Sequence, residues 1–170
     1  MSVIVPKISF YDYFDYNETV SKYDMHSAVA LFCFGMRPIE FMNISKTNID
    51  LDSNSITFQQ AKGGRITTRN AENEVLSDIL TSWNYDLNSK NHYRNYQRLD
   101  KYLLSMFTPK FNVSNRLNNL YAFRYSCCAA LIHAGFNFLQ IFSFFDHENT
   151  ANTVVYLQEG YKINLQIYPT

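Results

Sequence analysis

The sequence predicts an α+β fold, mainly α, with a small antiparallel β-sheet or hairpin near residues 49–70. Two observations predict it. Apolar residues recur at helical spacing between capping and stop residues over most of the chain. Strand-like runs cluster in one place, at residues 55–60 and 66–69, around the turn formers Lys62-Gly63-Gly64-Arg65. At 170 residues and 46% apolar, the chain can bury the core of one domain without covalent staples.

Taken in order, residues 1–24 are aromatic and acidic with poor periodicity, and read as an N-terminal extension. Residues 27–35 are an apolar stretch that predicts a buried helix ending near Gly35. Pro38 suits the first turn of a second, short helix over 39–44. The β region follows, then helical patterns at 71–83 and 93–107, the latter region ended by Pro109. Residues 115–134 predict a helix with Gly135 as its stop; 138–145 and 149–158 predict two more. In the tail, 159–170, Ile163, Leu165 and Ile167 alternate with Asn164, Gln166 and Tyr168, which is strand periodicity. Such a strand would either mediate contacts between protomers by pairing with another chain or fold back on its own domain.

Composition excludes several classes. The three cysteines, Cys33, Cys127 and Cys128, are odd in number and two are adjacent, so no disulfide framework is expected; none has zinc-ligand spacing with a histidine. Small buried thiols in the reducing cytoplasm are the expectation. The opening residues are broken by Pro6 and Lys7, unlike a secretory leader, and the longest apolar stretch, 129–145, is interrupted by His133, Asn137 and Gln140. No membrane association is expected. Net charge is zero, but unevenly spread: residues 62–124 carry ten basic and five acidic side chains, against four and seven before them and one and three after. A basic middle suits either a phosphate backbone or a solvated face.

The residues that carry chemistry lie in order along the chain. Phosphodiester transfer without a metal needs a nucleophile, cations to hold the non-bridging oxygens, and an acid for the leaving oxygen. Arginine suits the second role through its planar, permanently charged fork, and lysine the third through a pKa that shifts on burial. The segment Phe34-Gly35-Met36-Arg37-Pro38-Ile39-Glu40 places Arg37 between an apolar helix and a short helix bearing a glutamate, and Asn48-Ile49-Asp50 leads into the sheet. Lys62 follows Arg37 by 25 residues, in the β-turn. Tyr121-Ala122-Phe123-Arg124 stands where an H-x-x-R motif is expected, and Asp146-His147 and Thr153-Val154-Val155-Tyr156 form a last block. Arg124 precedes His147 by 23 residues, Gly135 precedes it by 12, and His147 precedes Tyr156 by nine.

Over residues 25–158 these motifs and intervals resemble the catalytic domain of the tyrosine recombinase, or phage integrase, family. The resemblance implies a helical fold of the DNA breaking-rejoining type. It also implies a site-specific recombinase that integrates, excises or inverts a mobile element through a 3′-phosphotyrosyl intermediate. Tyr156 would attack the scissile phosphate, Arg37 and Arg124 would clamp its oxygens, Lys62 would protonate the leaving 5′-oxygen, and His147 would hydrogen-bond the phosphate or orient the phenol. A free phenol is ionised about once in a thousand at neutral pH, so activation must offset roughly 4 kcal/mol. Arg65, Arg69, Arg94, Arg98 and Lys101 are expected to contact DNA. The implied partners are double-stranded DNA and three further copies in a homotetramer. No metal, small-molecule cofactor or ATP is implied, because the phosphotyrosine conserves the bond energy. Tyr161 and Tyr168 are other candidate nucleophiles, but neither has the interval from His147.

The pattern is broken in places. Tyr121 replaces the histidine of H-x-x-R, and phenol is a poor base near neutral pH. Tyr125 takes a position that is often histidine. Asp146 replaces the glycine before His147, and a carboxylate there repels phosphate unless it turns away. Fewer than 40 residues precede Arg37, so the expected organisation is a single catalytic domain without the N-terminal core-binding domain, and DNA binding should be weak and salt-sensitive. These departures leave a second expectation, a catalytically weakened DNA-binding or recombinase-partner module. A third is an interaction protein recruiting partners through the edge strand at 163–168.

Overall fold

The computed structural model of the chain describes residues 2–85, 105–112, 121–147 and 149–169. Helix α1 (Phe10–Tyr13) leads into strand β1 (Phe14–Tyr16), then α2 (Lys22–Phe34) and α3 (Pro38–Asn43). Strands β2 (Ile49–Asp50), β3 (Ser55–Gln59) and β4 (Ile66–Asn70) precede α4 (Asn73–Tyr85); β5 (Phe107–Pro109), α5 (Tyr121–His133), α6 (Phe138–Phe145) and α7 (Thr150–Ile167) complete the described elements. The architecture is mainly helical with small antiparallel sheets, as the periodicities predict. Among the described residues no helix is long and apolar enough to cross a membrane.

Helix α2 starts five residues before the expected boundary because Ser21 caps it, accepting from the Asp24 amide at 3.1 Å. It ends at Gly35, whose φ of 61° favours glycine. Space enforces the same choice: a Cβ there would lie 2.8 Å from Cys127 Sγ and 3.2 Å from the Phe144 and Phe145 rings. The end of α2 therefore sits directly on α5 and α6.

The expected sheet forms in the order β2-β3-β4, with Ser55 opposite Asn70 and Gln59 opposite Ile66. A second sheet pairs β1 with β5, Asp15 opposite Thr108. It corrects two expectations at once. Phe107, expected to end a helix, opens a strand, and residues 1–24 are no extension: Phe10, Tyr13 and Phe14 are fully buried. Phe10 stacks on Phe14 at 5.1 Å and Phe14 on Phe123 at 4.7 Å, so the N-terminal segment is an aromatic wall of the core.

The tail is the largest correction. Residues 159–170 form no edge strand; α7 runs unbroken to Ile167. The alternation of Ile163, Leu165 and Ile167 hides a helical stripe in which Tyr156, Gly160 and Ile163 are buried while Leu165 is 67% exposed. Gly160 allows the close approach to α5, since a Cβ there would meet Ile132 Cδ1 at 2.7 Å and the Ala129 backbone at 3.3 Å. Asn164 donates to the Ala129 carbonyl at 2.8 Å and accepts from the Tyr13 hydroxyl at 2.8 Å. Tyr168 stacks on His133 with ring centres 3.7 Å apart. The tail thus folds back on its own domain.

Arg69, expected on DNA, is 2% exposed. Its guanidinium donates to the carbonyls of Phe34 (2.7 Å), Phe144 (2.8 Å) and Phe145 (3.2 Å), and lies over the rings of Phe58, Phe144 and Phe145. Burial and the Arg124 charge lower its pKa to about 9, which still leaves it protonated near neutrality. Arg69 is a strut that satisfies the last carbonyls of α2 and α6. Arg69→Met should lower unfolding stability by roughly 3 kcal/mol or more, because buried carbonyls left without a donor cost about 1–3 kcal/mol each. Urea denaturation measures this; a change within about 0.5 kcal/mol would return Arg69 to a surface role.

Candidate active site

Arg124, one turn into α5, has no exposed surface. Its donors are distributed over several elements. Nη1 donates to the Gly35 carbonyl at 2.9 Å, Nε donates to the Tyr156 hydroxyl at 2.7 Å, and Nη2 lies 3.3 Å from His147 Nε2. Its plane also packs on the Phe145 and Tyr156 rings, at 5.1 and 5.0 Å from their centres.

Arg37 immediately precedes α3, and Pro38 opens that helix. Three residues on, Glu40 turns back: its carboxylate accepts from the Arg37 amide at 2.7 Å and from Arg37 Nη1 at 2.9 Å. The same buried carboxylate accepts from the Ala61 amide at 3.0 Å and lies 3.8 Å from Arg124 Nη1. Glu40 therefore ties both arginines to the base of the turn that carries Lys62. Sequence reasoning marked it only as part of a motif, although its i+3 spacing from Arg37 at a helix start was a usable signal. Gln60 was missed as well; its Oε1 lies 3.4 Å from Arg37 Nη1.

His147 is 3% exposed, and its ring bonds at both nitrogens. Arginine only donates, so Nε2 accepts from Arg124; the proton then sits on Nδ1 and is donated to Thr153 Oγ1 at 2.7 Å. Burial, then the charges of Arg124, Arg37, Arg69 and Lys62, lower its pKa to about 3. The imidazole is neutral, and its partner Thr153, noted in the sequence only as the start of the block that ends at Tyr156, fixes the ring. Tyr156, on the second turn of α7, is 8% exposed. Its ring stacks between neighbours, 5.3 Å from Phe145, 5.0 Å from His147 and 4.5 Å from Tyr125. Burial and the nearby Tyr156 push the Tyr125 phenol up to about 12, which makes it a neutral packing surface.

Lys62 is exposed in the β3–β4 turn, and no hydrogen bond or ion pair to its ammonium is found among the described residues. Its charge is nonetheless close enough to act on His147. Arg65 in the same turn pairs with Asp146 at 2.8 Å. Asp146 ends α6 with a φ of 49°, the left-handed conformation that glycine adopts most easily. Its carboxylate is occupied by Arg65 and by the Thr67 hydroxyl at 3.0 Å. Tyr121 begins α5 and is half-buried. Arg94, Arg98 and Lys101 lie outside the described residues.

Arg37, Arg124, His147 and Tyr156 are thus joined through direct contacts and the shared Glu40, with Lys62 at the rim; Arg69 supports the cluster from below. The charge balance is uneven. Arg37, Lys62, Arg69 and Arg124 surround His147, whereas Glu40 is the carboxylate that reaches Arg37 and Arg124. Such a surplus of guanidinium charge favours an oxyanion. Among the described residues no group of three His, Cys, Asp or Glu side chains is placed to hold a metal ion.

No family model matches the sequence. No curated protein matches it either. Among solved structures, the crystal structure of XerA recombinase is similar, with a TM-score of 0.60 at 14% identity over 87% of this chain. This chain spans 59% of the length of that recombinase. At that identity the likeness speaks for the fold: the chain has a recombinase-like fold.

Proposed function

We propose that this chain is the catalytic domain of a tyrosine-type site-specific recombinase acting on double-stranded DNA, with integration, excision or inversion as the reaction class and a homotetramer on two duplexes as the working assembly. One observation carries the reading. A single buried guanidinium, Arg124, holds the Tyr156 phenol and the His147 imidazole, and Glu40 joins it to Arg37.

The chemistry follows from that arrangement. The Tyr156 oxygen bonds to phosphorus as the bond to the 5′-oxygen breaks, leaving a 3′-phosphotyrosine and a free 5′-hydroxyl. The phenolic proton passes to water, and Lys62 supplies a proton to the leaving oxygen. Arg37 and Arg124 hold the non-bridging oxygens as charge builds on them. His147, neutral near physiological pH, orients Arg124 and the phenol. Attack by a 5′-hydroxyl reverses each step, so no external energy is required. An entering phosphate meets Lys62 and Arg37 first; it reaches Arg124 only after the phenol, which covers that guanidinium, shifts. The second reading, a weakened binding module, is favoured by Tyr121 at the start of α5 and by the burial of Tyr156.

Incubation with a randomised pool of nicked duplexes, followed by recovery of DNA linked to protein under denaturing conditions, tests the two readings. Wild type should yield a covalent adduct and Tyr156→Phe none. Equal yields would overturn Tyr156 as the nucleophile, and wild type that binds DNA without linkage would leave only the binding module. Arg37→Lys and Arg124→Lys should each slow adduct formation by about 10²–10³-fold, the usual effect of losing one preorganised donor.

The neutral His147 makes a separate prediction. Its pKa is about 3 folded and near 6.5 unfolded, so between these values the unfolded chain binds the extra proton. Its contribution to stability is complete above pH 6.5 and is lost as pH falls toward 3. The denaturation midpoint should therefore drop more steeply over that window in wild type than in His147→Gln. Parallel curves would contradict a neutral buried imidazole.

A further inference from the structure

Three side chains that flank or close the Lys62 turn converge on residues 145–147. Gln60 Nε2 donates to the carbonyls of Phe145 (3.3 Å) and Asp146 (3.1 Å). Thr67 Oγ1 donates to Asp146 Oδ2 at 3.0 Å. Arg65 pairs with Asp146 Oδ1 at 2.8 Å and donates to the carbonyls of Asp146 and His147, both at 3.3 Å. The base of the turn is also held by Glu40, which accepts from the Ala61 amide at 3.0 Å, but the tip has fewer restraints. Gly63 and Gly64 sit at φ of 84° and 68°, and its internal bonds run from the Gln60 amide to the Arg65 carbonyl and from Gln59 Nε2 to the Gly64 carbonyl. Lys62 itself is exposed.

We infer that Asp146 is a positioning residue: through Arg65 it fixes the Lys62 turn against the segment bearing His147, and so sets protonation of the leaving oxygen. The inference rests on the proposed recombinase reading. A carboxylate here was expected to repel phosphate unless it turns away; it is turned onto Arg65 and Thr67. Backbone geometry agrees. A residue at φ 49° is easiest as glycine, and aspartate is among the few others that tolerate it, so the position can hold a carboxylate where the turn needs one. Both partners are partly exposed, with Arg65 at 44% and Asp146 at 29%. A pair of this kind shifts a population by about fivefold at most. That is small for the fold but acts on the glycine-rich tip of the turn, beyond the base that Ala61 and Gln60 hold.

Asp146→Asn keeps the left-handed tolerance and an acceptor for Thr67 while removing the charge; Arg65→Met removes the partner. In the free protein, backbone order parameters at residues 62–64 should fall from about 0.85 in wild type toward 0.6 in either variant, with no further fall in the double variant. Unchanged order overturns the inference. On nicked phosphodiester DNA, Asp146→Asn should form adduct about fivefold more slowly. The loss should vanish when sulfur replaces the bridging 5′-oxygen, because a thiol, with a pKa of about 8.5, leaves without a proton donor. Equal loss on both substrates, or a faster reaction of the variant because Arg65 is freed for phosphate, overturns the positioning role. If wild type forms no adduct with either substrate, the functional reading and the leaving-group role fall together, and the order parameters alone decide whether Asp146 pins the turn.

Discussion

A guanidinium with no contact to solvent is the constraint around which this molecule is organised. Because Arg124 is shut off from water, each of its N–H groups needs an acceptor inside the protein. Those acceptors come from distant stretches of chain: the Gly35 carbonyl at the end of α2, the Glu40 carboxylate on α3, His147 after α6 and Tyr156 on α7. Satisfying one cation therefore brings four helices and their functional groups to one point. Gly35 and Gly160 make this possible by letting backbone approach where a Cβ would collide.

The electrostatics follow from that assembly. A second buried arginine, Arg69, and a partly buried one, Arg37, lie near the first, and Glu40 offsets only part of their charge. The imidazole in their midst gives up its proton and becomes an acceptor for Arg124. Such a site favours an anion with several oxygens; in the proposed reading that anion is a backbone phosphate, and the Tyr156 hydroxyl holds an Arg124 donor that its oxygen would take.

Much of this was legible in the sequence. Gly35 as a stop, Pro38 as a helix opener, the hairpin around Gly63 and Gly64, and helix α6 are local signals, and local signals survive folding. The spacing of Arg37, Arg124, His147 and Tyr156 was legible because it matched a family's intervals. What failed depended on tertiary context. Arg69 reads as a surface cation until the carbonyl ends of α2 and α6 are seen to converge on it. The tail reads as a strand because three apolar residues alternate, and only the groove offered by Ala129 and Ile132 selects the helical face containing Gly160. The aromatic residues before Ser21 lack periodicity because they fill a core through an irregular helix–strand segment. Glu40 and Thr153 were inconspicuous because their importance lies in what they bond.

The central claim is that this guanidinium holds the proposed nucleophile, Tyr156. Peptide mass spectrometry of the protein recovered after reaction with nicked DNA and nuclease digestion addresses it most directly. The account predicts a nucleotide attached through its 3′-phosphate to Tyr156. The same mass on Tyr161 or Tyr168, or on no tyrosine, would contradict it.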